Sequence, residues 1–280
     1  MAALAATLQN SRLKAMIVPR EHGAWGMLLV PLVSAAVVAA RSGLNFGALA
    51  LFVVAALSLF WLRTPVEAWL GTSAIKAHTE SERSTVLGVA VAIGAVAAVA
   101  VTALLVTGYA RGLLIIGVVA ALALAAQAAI KKLGRRVRMP AQVIGAFGLT
   151  STAAGAYYVA TGKLDRIALA LWLANWLFAG DQVHFVQVRI HSSRAASLNE
   201  KLRQGYAFLG GQIVLLAVVI VLCLLDVFPK LIVIAFVPVL LRGTVWFLRG
   251  RQPLDVHQLG FSELAQALVF GALLCAAFLL

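Results

Sequence analysis

The chain has 280 residues, of which 62% are hydrophobic and only 12% are charged, and its mean hydropathy is +0.98. This balance excludes an ordinary soluble domain, because several apolar runs reach the roughly 20 residues that span a bilayer core. The formal charge of +13 is attributed to basic cytoplasmic loops of a membrane protein and not to nucleic-acid binding.

Nine apolar segments predict an all-α polytopic membrane protein, with residues 1–280 forming a single transmembrane domain. The segments lie at 24–40, 47–62, 86–107, 112–130, 141–160, 167–188, 207–225, 229–248 and 264–280. Residues 1–19 predict a short interfacial helix and not a cleaved signal, because their charges follow the mild apolar stretch.

Basic residues assign the orientation of these helices. One set of loops holds 18 of the 23 Lys and Arg residues, with Arg242 counted among them as a loop residue. The other set holds five, which are Arg41, Arg111, Lys163, Arg166 and Lys230. Because cytoplasmic loops carry the excess of Lys and Arg, we expect a cytoplasmic N-terminus and an external C-terminus in a bacterial cytoplasmic (inner) membrane.

A cluster of ionisable residues precedes the first span. The sequence PREHGAWG places Arg20, Glu21 and His22 beside glycines that let a ligand or another backbone approach closely. Arg20 alone fits a routine basic residue at the cytoplasmic face, but Glu21 and His22 favour a ligand-binding role.

The second span ends in RTPVE, which puts Arg63 and Glu67 one helical turn apart with Pro65 between them. This pattern fits either a ligand site opened by a proline kink or an exposed ion pair of little energetic value. Arg83 follows in the next loop.

The sixth span runs into GDQVHFVQVRIHSSR. Helical spacing predicts Asp181, His184 and His191 on one face, with Arg189 about 80° away around the helix and Asn175 deeper in the span. A carboxylate at that depth marks a functional site unless it only neutralises an Arg at the helix end.

A faint internal repeat relates residues 19–138 to residues 140–260. Gly23 and Gly145 are offset by 122 residues, and Glu67 and Asp181 by 114. Four spans separate equivalent points, so the halves would be parallel repeats, an arrangement that places ligand sites between halves.

The motifs of this chain resemble those of two protein families. PREHGAWGMLLVP is similar to the opening motif of the YwiC-like family, bacterial membrane proteins of uncharacterised function. More distantly, the layout resembles the UbiA superfamily of intramembrane prenyltransferases, which has nine helices and polar motifs at the cytoplasmic ends of helices two and six. RTPVE and GDQVH occupy those places, and TESERSTVLGVAV is similar to the segment that leads into helix three. The resemblance implies a UbiA-like bundle.

The chain departs from the Asp-rich motifs that hold Mg²⁺ against a prenyl diphosphate in that superfamily. Only Glu67 and Asp181 remain as candidate metal ligands, and Arg63 lies four residues before Glu67. Mg²⁺ requires oxygen ligands, so Mg²⁺ is possible, but the resemblance supports the fold better than the reaction.

Three functions fit the pattern. The first is a UbiA-like enzyme or lipid binder for an amphipathic anion such as an isoprenoid diphosphate, with His184, Asp181 and Glu67 as candidate catalytic residues. Its candidate ligand-binding residues are Arg20, Glu21, His22, Arg63, Arg83, Asn175, Arg189 and His191.

The second function is a small-molecule transporter. Few polar residues are predicted near the bilayer midplane, mainly Gln127, Asn175 and Gln212, and no charge is expected there, which counts against ion coupling. The third is a haem or metal protein with ligands among His22, His184 and His191.

Overall fold

The computed structural model describes residues 11–19, 22–73, 75–134, 137–194, 197–249 and 255–280, with only the backbone described for His22 and Arg194. Residues 11–17 are helical, and no strand occurs in these ranges. The longer helices are α1 His22–Ala39, α2 Phe46–Trp69, α3 Glu80–Leu104, α4 Ala110–Lys132, α5 Arg138–Thr150, α6 Thr152–Thr161, α7 Arg166–His191, α8 Leu198–Leu224, α9 Ile232–Leu248 and α10 Val256–Leu279.

Within the described ranges, six helical segments are long and apolar enough to cross a membrane. They are Gly23–Ser42, Phe46–Trp69, Glu80–Lys132, Arg138–Thr161, Leu198–Leu224 and Val256–Leu279. The helix Ile232–Leu248 is apolar but shorter. The chain is therefore an all-helical, multi-pass membrane protein whose apolar helices associate with the lipid bilayer.

Several helices begin earlier than the apolar segments in the sequence indicate. The segments at 86–107, 207–225 and 264–280 belong to helices that start at Glu80, Leu198 and Val256. The added segments contain polar residues among apolar ones, and each begins at a capping side chain. Thr79 forms a reciprocal capping box with Glu82, and Ser197 and Asp255 accept hydrogen bonds from backbone amides of the first turn.

The chain divides into two compact units. The first comprises Met1–Glu21 and Phe46–Ala110, and the second comprises His22–Asn45 and Arg111–Leu280. The junction between α3 and α4 is a short π-helical stretch, Leu105–Tyr109, in which Gly108 has a φ of 101°. This backbone conformation is open to glycine without steric cost, so the 53-residue segment Glu80–Lys132 is interrupted there.

In the first unit, α2 and α3 are antiparallel. Leu62 of α2 lies opposite Gly94 near the middle of α3, and Ala68 packs with Val86 near the end of α2 and the start of α3. Met16, from the helical residues 11–17, completes this buried contact and is only 1% exposed. The N-terminal segment is thereby fixed to one end of the α2–α3 pair.

In the second unit, helices that follow one another along the chain alternate in direction, except that α5 and α6 run the same way. Helices α1, α5, α6, α8 and α10 run one way, whereas α4, α7 and α9 run the other way. The contacts that fix these directions are Gly112 with Tyr158, Gly145 with Gln127, Trp176 with Val143, Trp172 with Phe147, Thr152 with Leu28, Asn45 with Ala160, Gly26 with Leu264, Cys275 with Ser34, Val188 with Gly205, Phe208 with Gly243, and Phe236 with Phe270.

Glycines allow close contact between α8 and α9. The ring of Phe247 occupies the space that a Cβ of Gly205 would need, and the ring of Phe208 does the same at Gly243. Small residues at such contacts let membrane helices gain van der Waals packing. This aromatic layer lies beside the charged residues described next.

Candidate functional site

The second unit contains a buried ion-pair network inside its helices. Arg242 of α9 contacts Asp181 of α7, with Nη2 at 2.6 Å from Oδ2, and its Nη1 donates to Oε2 of Glu263 on α10. The three side chains are only 9%, 3% and 6% exposed. A charge at such a site is tolerated only when it is paired and hydrogen-bonded.

Glutamine side chains extend this network, which we name the Arg242 cluster (Asp181, Gln182, Gln212, Arg242 and Glu263). Gln212 of α8 donates from Nε2 to Asp181 Oδ1. Gln182 donates from Nε2 to the backbone carbonyl of Glu263 at 2.9 Å. The cluster therefore connects all four helices from α7 to α10.

The Arg242 cluster lies within the helices and not at their ends. Arg242 is ten residues after Ile232 and six before Leu248, which correspond to about 15 Å and about 9 Å along the axis. Glu263 is seven residues after Val256, or about 10 Å. Ionisable residues at such positions in membrane helices mark substrate, ion or proton sites.

Several buried polar atoms near this level have no hydrogen-bond partner among the described residues. They are Asn175 Oδ1, Gln212 Oε1, Arg242 Nε, Glu263 Oε1 and Gln266 Oε1. Native proteins leave few buried polar atoms unpartnered. Four of these five atoms are oxygens, so the site is short of hydrogen-bond donors.

A second group of charged residues lies nearer the ends of α7, α8 and α9. The Arg189 guanidinium carbon is 5.8 Å from the ring centroid of Trp246 and 6.0 Å from that of Phe185. Lys201 Nζ is 4.9 Å from the Trp246 centroid and donates to the Arg249 carbonyl at 2.7 Å. Aromatic faces stabilise cations at such distances. Two cations thus converge on one indole ring.

The first half of the sequence matches a known protein family. The model of the YwiC-like protein matches residues 18–157, which is half of the chain. The chain belongs to the YwiC-like family. Neither a curated protein nor a solved structure matches it.

The matched range of this YwiC-like chain ends within α6. It contains the PREHGAWG motif, which confirms the family resemblance found in the sequence. Asp181, Arg242 and Glu263 all lie beyond the matched residues. The family match therefore assigns no role to the Arg242 cluster.

The residues predicted along α7 of the YwiC-like chain differ in their surroundings. Asn175 and Asp181 are buried, His184 is half-buried with its ring edge against Phe208, and His191 is exposed. The Nδ1 atom of His191 is 2.7 Å from the Gln187 carbonyl. The single predicted face is therefore wrong for His191, because ten residues turn a helix by about 280° beyond two full turns.

The ion pair predicted at the end of α2 is present in the first unit. Arg63 Nε is 2.8 Å from Glu67 Oε1, and the side chains are 42% and 40% exposed. Arg83 is exposed in the first turn of α3. An exposed pair of this kind contributes little to stability, so the structure favours the surface alternative at Arg63 and Glu67.

The predicted residues before α1 are largely outside the described part of the chain. Arg20 and Glu21 are not described, and of His22 only the backbone, at the start of α1, is described. Among the described residues, no group of three or more His, Cys, Asp or Glu side chains is placed to hold a metal ion.

Two central residues were missed or misplaced by the sequence patterns. Arg242 was assigned to a cytoplasmic loop, and the structure corrects this because α9 continues through it to Leu248. Glu263 was not singled out. No charge was expected near the middle of the spans, and Arg242 lies ten residues into the 17-residue helix α9. The available signal was that apolar residues flank both charges at helical spacing.

Proposed function

We propose that this YwiC-like protein crosses the bacterial cytoplasmic membrane nine times, with its N-terminus in the cytoplasm and its C-terminus outside. The alternating helix directions in the second unit support this proposal, because consecutive crossings must alternate. The count takes α5 and α6 as one crossing, α7 as a crossing despite its charged residues, and α9 as a crossing despite its 17-residue length. Asp181 and Arg242 compensate each other, which makes such crossings physically acceptable.

We further propose that the protein binds an amphipathic anion, of the isoprenoid diphosphate type, at the cytoplasmic end of α7–α9. One observation carries this proposal. Arg189 is half-buried and held against two aromatic rings, and no described carboxylate lies within ion-pair distance of it. Its planar fork of N–H donors suits bidentate binding of phosphate.

The neighbourhood of Arg189 suits an amphipathic ligand. Lys201 supplies a second positive charge at Trp246, and its neighbours in the sequence of α8 include the exposed apolar side chains of Leu198 and Leu202. The anionic head would bind the cations, and the tail would lie along the apolar helices. Each tail CH₂ that leaves water contributes about 0.8 kcal/mol, which keeps the ligand at the membrane where the cations lie.

Binding is better supported than UbiA-like transfer. Both oxygens of Asp181 already accept hydrogen bonds, from Gln212 and Arg242, so this carboxylate is poorly disposed to hold Mg²⁺. Glu67 is already paired with Arg63. His184 would be the remaining general acid–base of a transferase form, because imidazole titrates near neutral pH.

The test is equilibrium binding of radiolabelled geranylgeranyl diphosphate to the full chain in lipid nanodiscs. Arg189→Gln should weaken binding by about tenfold or more, because a hydrogen bond to a charged group contributes about 1.5–3 kcal/mol. Arg189→Lys should recover part of the loss. The control is Arg203→Gln, an exposed cation on α8. Equal weakening of binding by both Gln variants would show that the ligand responds to the general surface charge and not to a specific site at Arg189.

A small-molecule transporter is the second candidate, and the Arg242 cluster is the observation that favours it. Charged residues inside spans commonly line substrate or ion paths. Transient currents on a supported membrane, recorded as candidate solutes are applied, would test this function. A transporter should give currents that Asp181→Asn abolishes, whereas a binding protein should give none with any solute.

A further inference from the structure

The Arg242 cluster leaves one negative charge and one carboxylate oxygen without compensation. Arg242 contacts two carboxylates, so the three groups in direct contact sum to −1 when all are ionised. Both oxygens of Asp181 and Oε2 of Glu263 accept hydrogen bonds. Glu263 is 4% exposed, and its Oε1 has no partner among the described residues.

The charged groups around Glu263 narrow the possible occupants of this position. Helix α9 contributes Arg242, and α7 contributes Asp181, with His184 and Arg189 one and two turns further along. Helix α1 has no ionisable residue besides His22, whose side chain is not described. Helix α8 contributes the neutral Gln212.

A metal ion is a poor occupant beside this guanidinium. It would face the positive charge of Arg242, which already contacts Glu263, and would need several free oxygen ligands. A proton needs only one acceptor and adds no bulk. It also removes the excess charge, and an uncompensated charge is costly at this depth.

We propose that Glu263 is a proton-binding site that carries one hydrogen on Oε1 and exchanges it with solvent. Uptake converts the carboxylate and one solvent proton to a carboxylic acid, and no electron is transferred. The new O–H donates to Gln266 Oε1, a buried oxygen one turn along α10 that has no partner among the described residues. Arg242 then balances Asp181 alone, and the cluster is neutral.

Loss of this proton changes the contacts between α9 and α10. The deprotonated cluster carries −1 in a low-dielectric setting, which favours solvation of Glu263 or its separation from Asp181. The proton therefore biases the packing of α10 against α7 and α9. This inference rests on the cluster alone and does not require an anion at Arg189.

The test is pH-difference infrared spectroscopy of the full chain in nanodiscs. The wild type should show a carboxylic acid C=O band that shifts in D₂O and disappears as the pH is raised. Labelling with ¹³C-glutamate should move this band, which assigns it to a glutamate without any substitution. Glu263→Gln should remove the band, whereas Glu82→Gln and Arg189→Gln should retain it.

The outcomes separate this inference from anion binding. A band that persists in Glu263→Gln, or that ignores the ¹³C-glutamate label, would overturn the assignment. Absence of any such band over the pH range in which the protein stays folded would also overturn it. A band that vanishes on addition of NaCl at constant pH would show that a sodium ion displaces the proton. That result would overturn the assignment of the site to a proton. If Glu263→Gln does not fold, the label still tests the inference, because Glu263 is the one glutamate among the described residues that is buried.

Discussion

Removal of the Arg242 guanidinium should strongly destabilise the second unit. Arg242→Met keeps an unbranched side chain of similar reach but leaves two carboxylates that are 3% and 6% exposed facing each other. Loss of one partner from a buried ion pair costs about 3–5 kcal/mol. With about 2–4 °C of midpoint shift per kcal/mol for large domains, the melting temperature should fall by roughly 6–20 °C.

Neutralising the carboxylates should reverse most of this loss. The triple variant Arg242→Met, Asp181→Asn, Glu263→Gln contains no uncompensated charge, and buried ion pairs are often replaced by neutral groups at little cost. Thermal unfolding in one detergent should therefore rank the triple variant close to wild type and well above the single variant. The control is Arg203→Met, which changes an exposed arginine and should stay within about 0.5 kcal/mol. The reasoning is refuted if Arg242→Met melts where Arg203→Met does, or if the triple variant is the least stable.

Three further predictions follow from the packing, the ligand and the topology. Gly205→Ala should lower the unfolding free energy by about 1–3 kcal/mol, because its Cβ would overlap the ring of Phe247, whereas Gly210→Ala, with open space around its Cβ, should be neutral or stabilising in the same unfolding assay. Binding of geranylgeranyl diphosphate should survive EDTA, since Arg189 and not Mg²⁺ holds the head in this proposal; binding that appears only with added Mg²⁺ would contradict it. Reporter fusions at Arg41, Arg111 and Lys163 should show an external location, on the side of the membrane away from the cytoplasm. A cytoplasmic signal at any one of these residues would overturn the orientation.

Apolar runs in the sequence made the positions of the helices predictable, but the residues at which the helices begin were harder to predict. Apolar runs of sufficient length located every crossing candidate, because burial in lipid demands continuous apolar sequence. The helical residues before positions 86, 207 and 264 were missed because polar residues interrupt the apolar sequence there. The N-caps are Thr79, Ser197 and Asp255. Because Ser, Thr and Asp are also common in loops, the sequence alone does not show that a helix begins at these residues.

Long-range partners made the site only partly predictable. Asp181 was found because a carboxylate in an apolar run is costly and therefore conspicuous. Arg242 offered the same cue but was explained by the excess of basic residues at the cytoplasmic face. What distinguishes it is contact with residues 61 and 21 positions away, and sequence spacing does not reveal such contacts. The close contacts at Gly205 and Gly243 were not predicted either, because each glycine contacts an aromatic ring from a different helix.

The separation of Asp181 from Arg242 in the chain has a consequence for biogenesis. A translocon inserts helices in the order of synthesis, and Asp or Arg near a helix centre raises the insertion free energy by about 2.5–3.5 kcal/mol. In the proposed nine-crossing topology, helix α7 therefore emerges with an uncompensated Asp181, and Arg242 follows 61 residues later, about 3–12 s at 5–20 residues per second. During that interval α7 must wait at the translocon or beside an insertase. A nascent chain arrested after α8 should consequently leave α7 incompletely inserted, and extension of the chain through α9 should complete its integration.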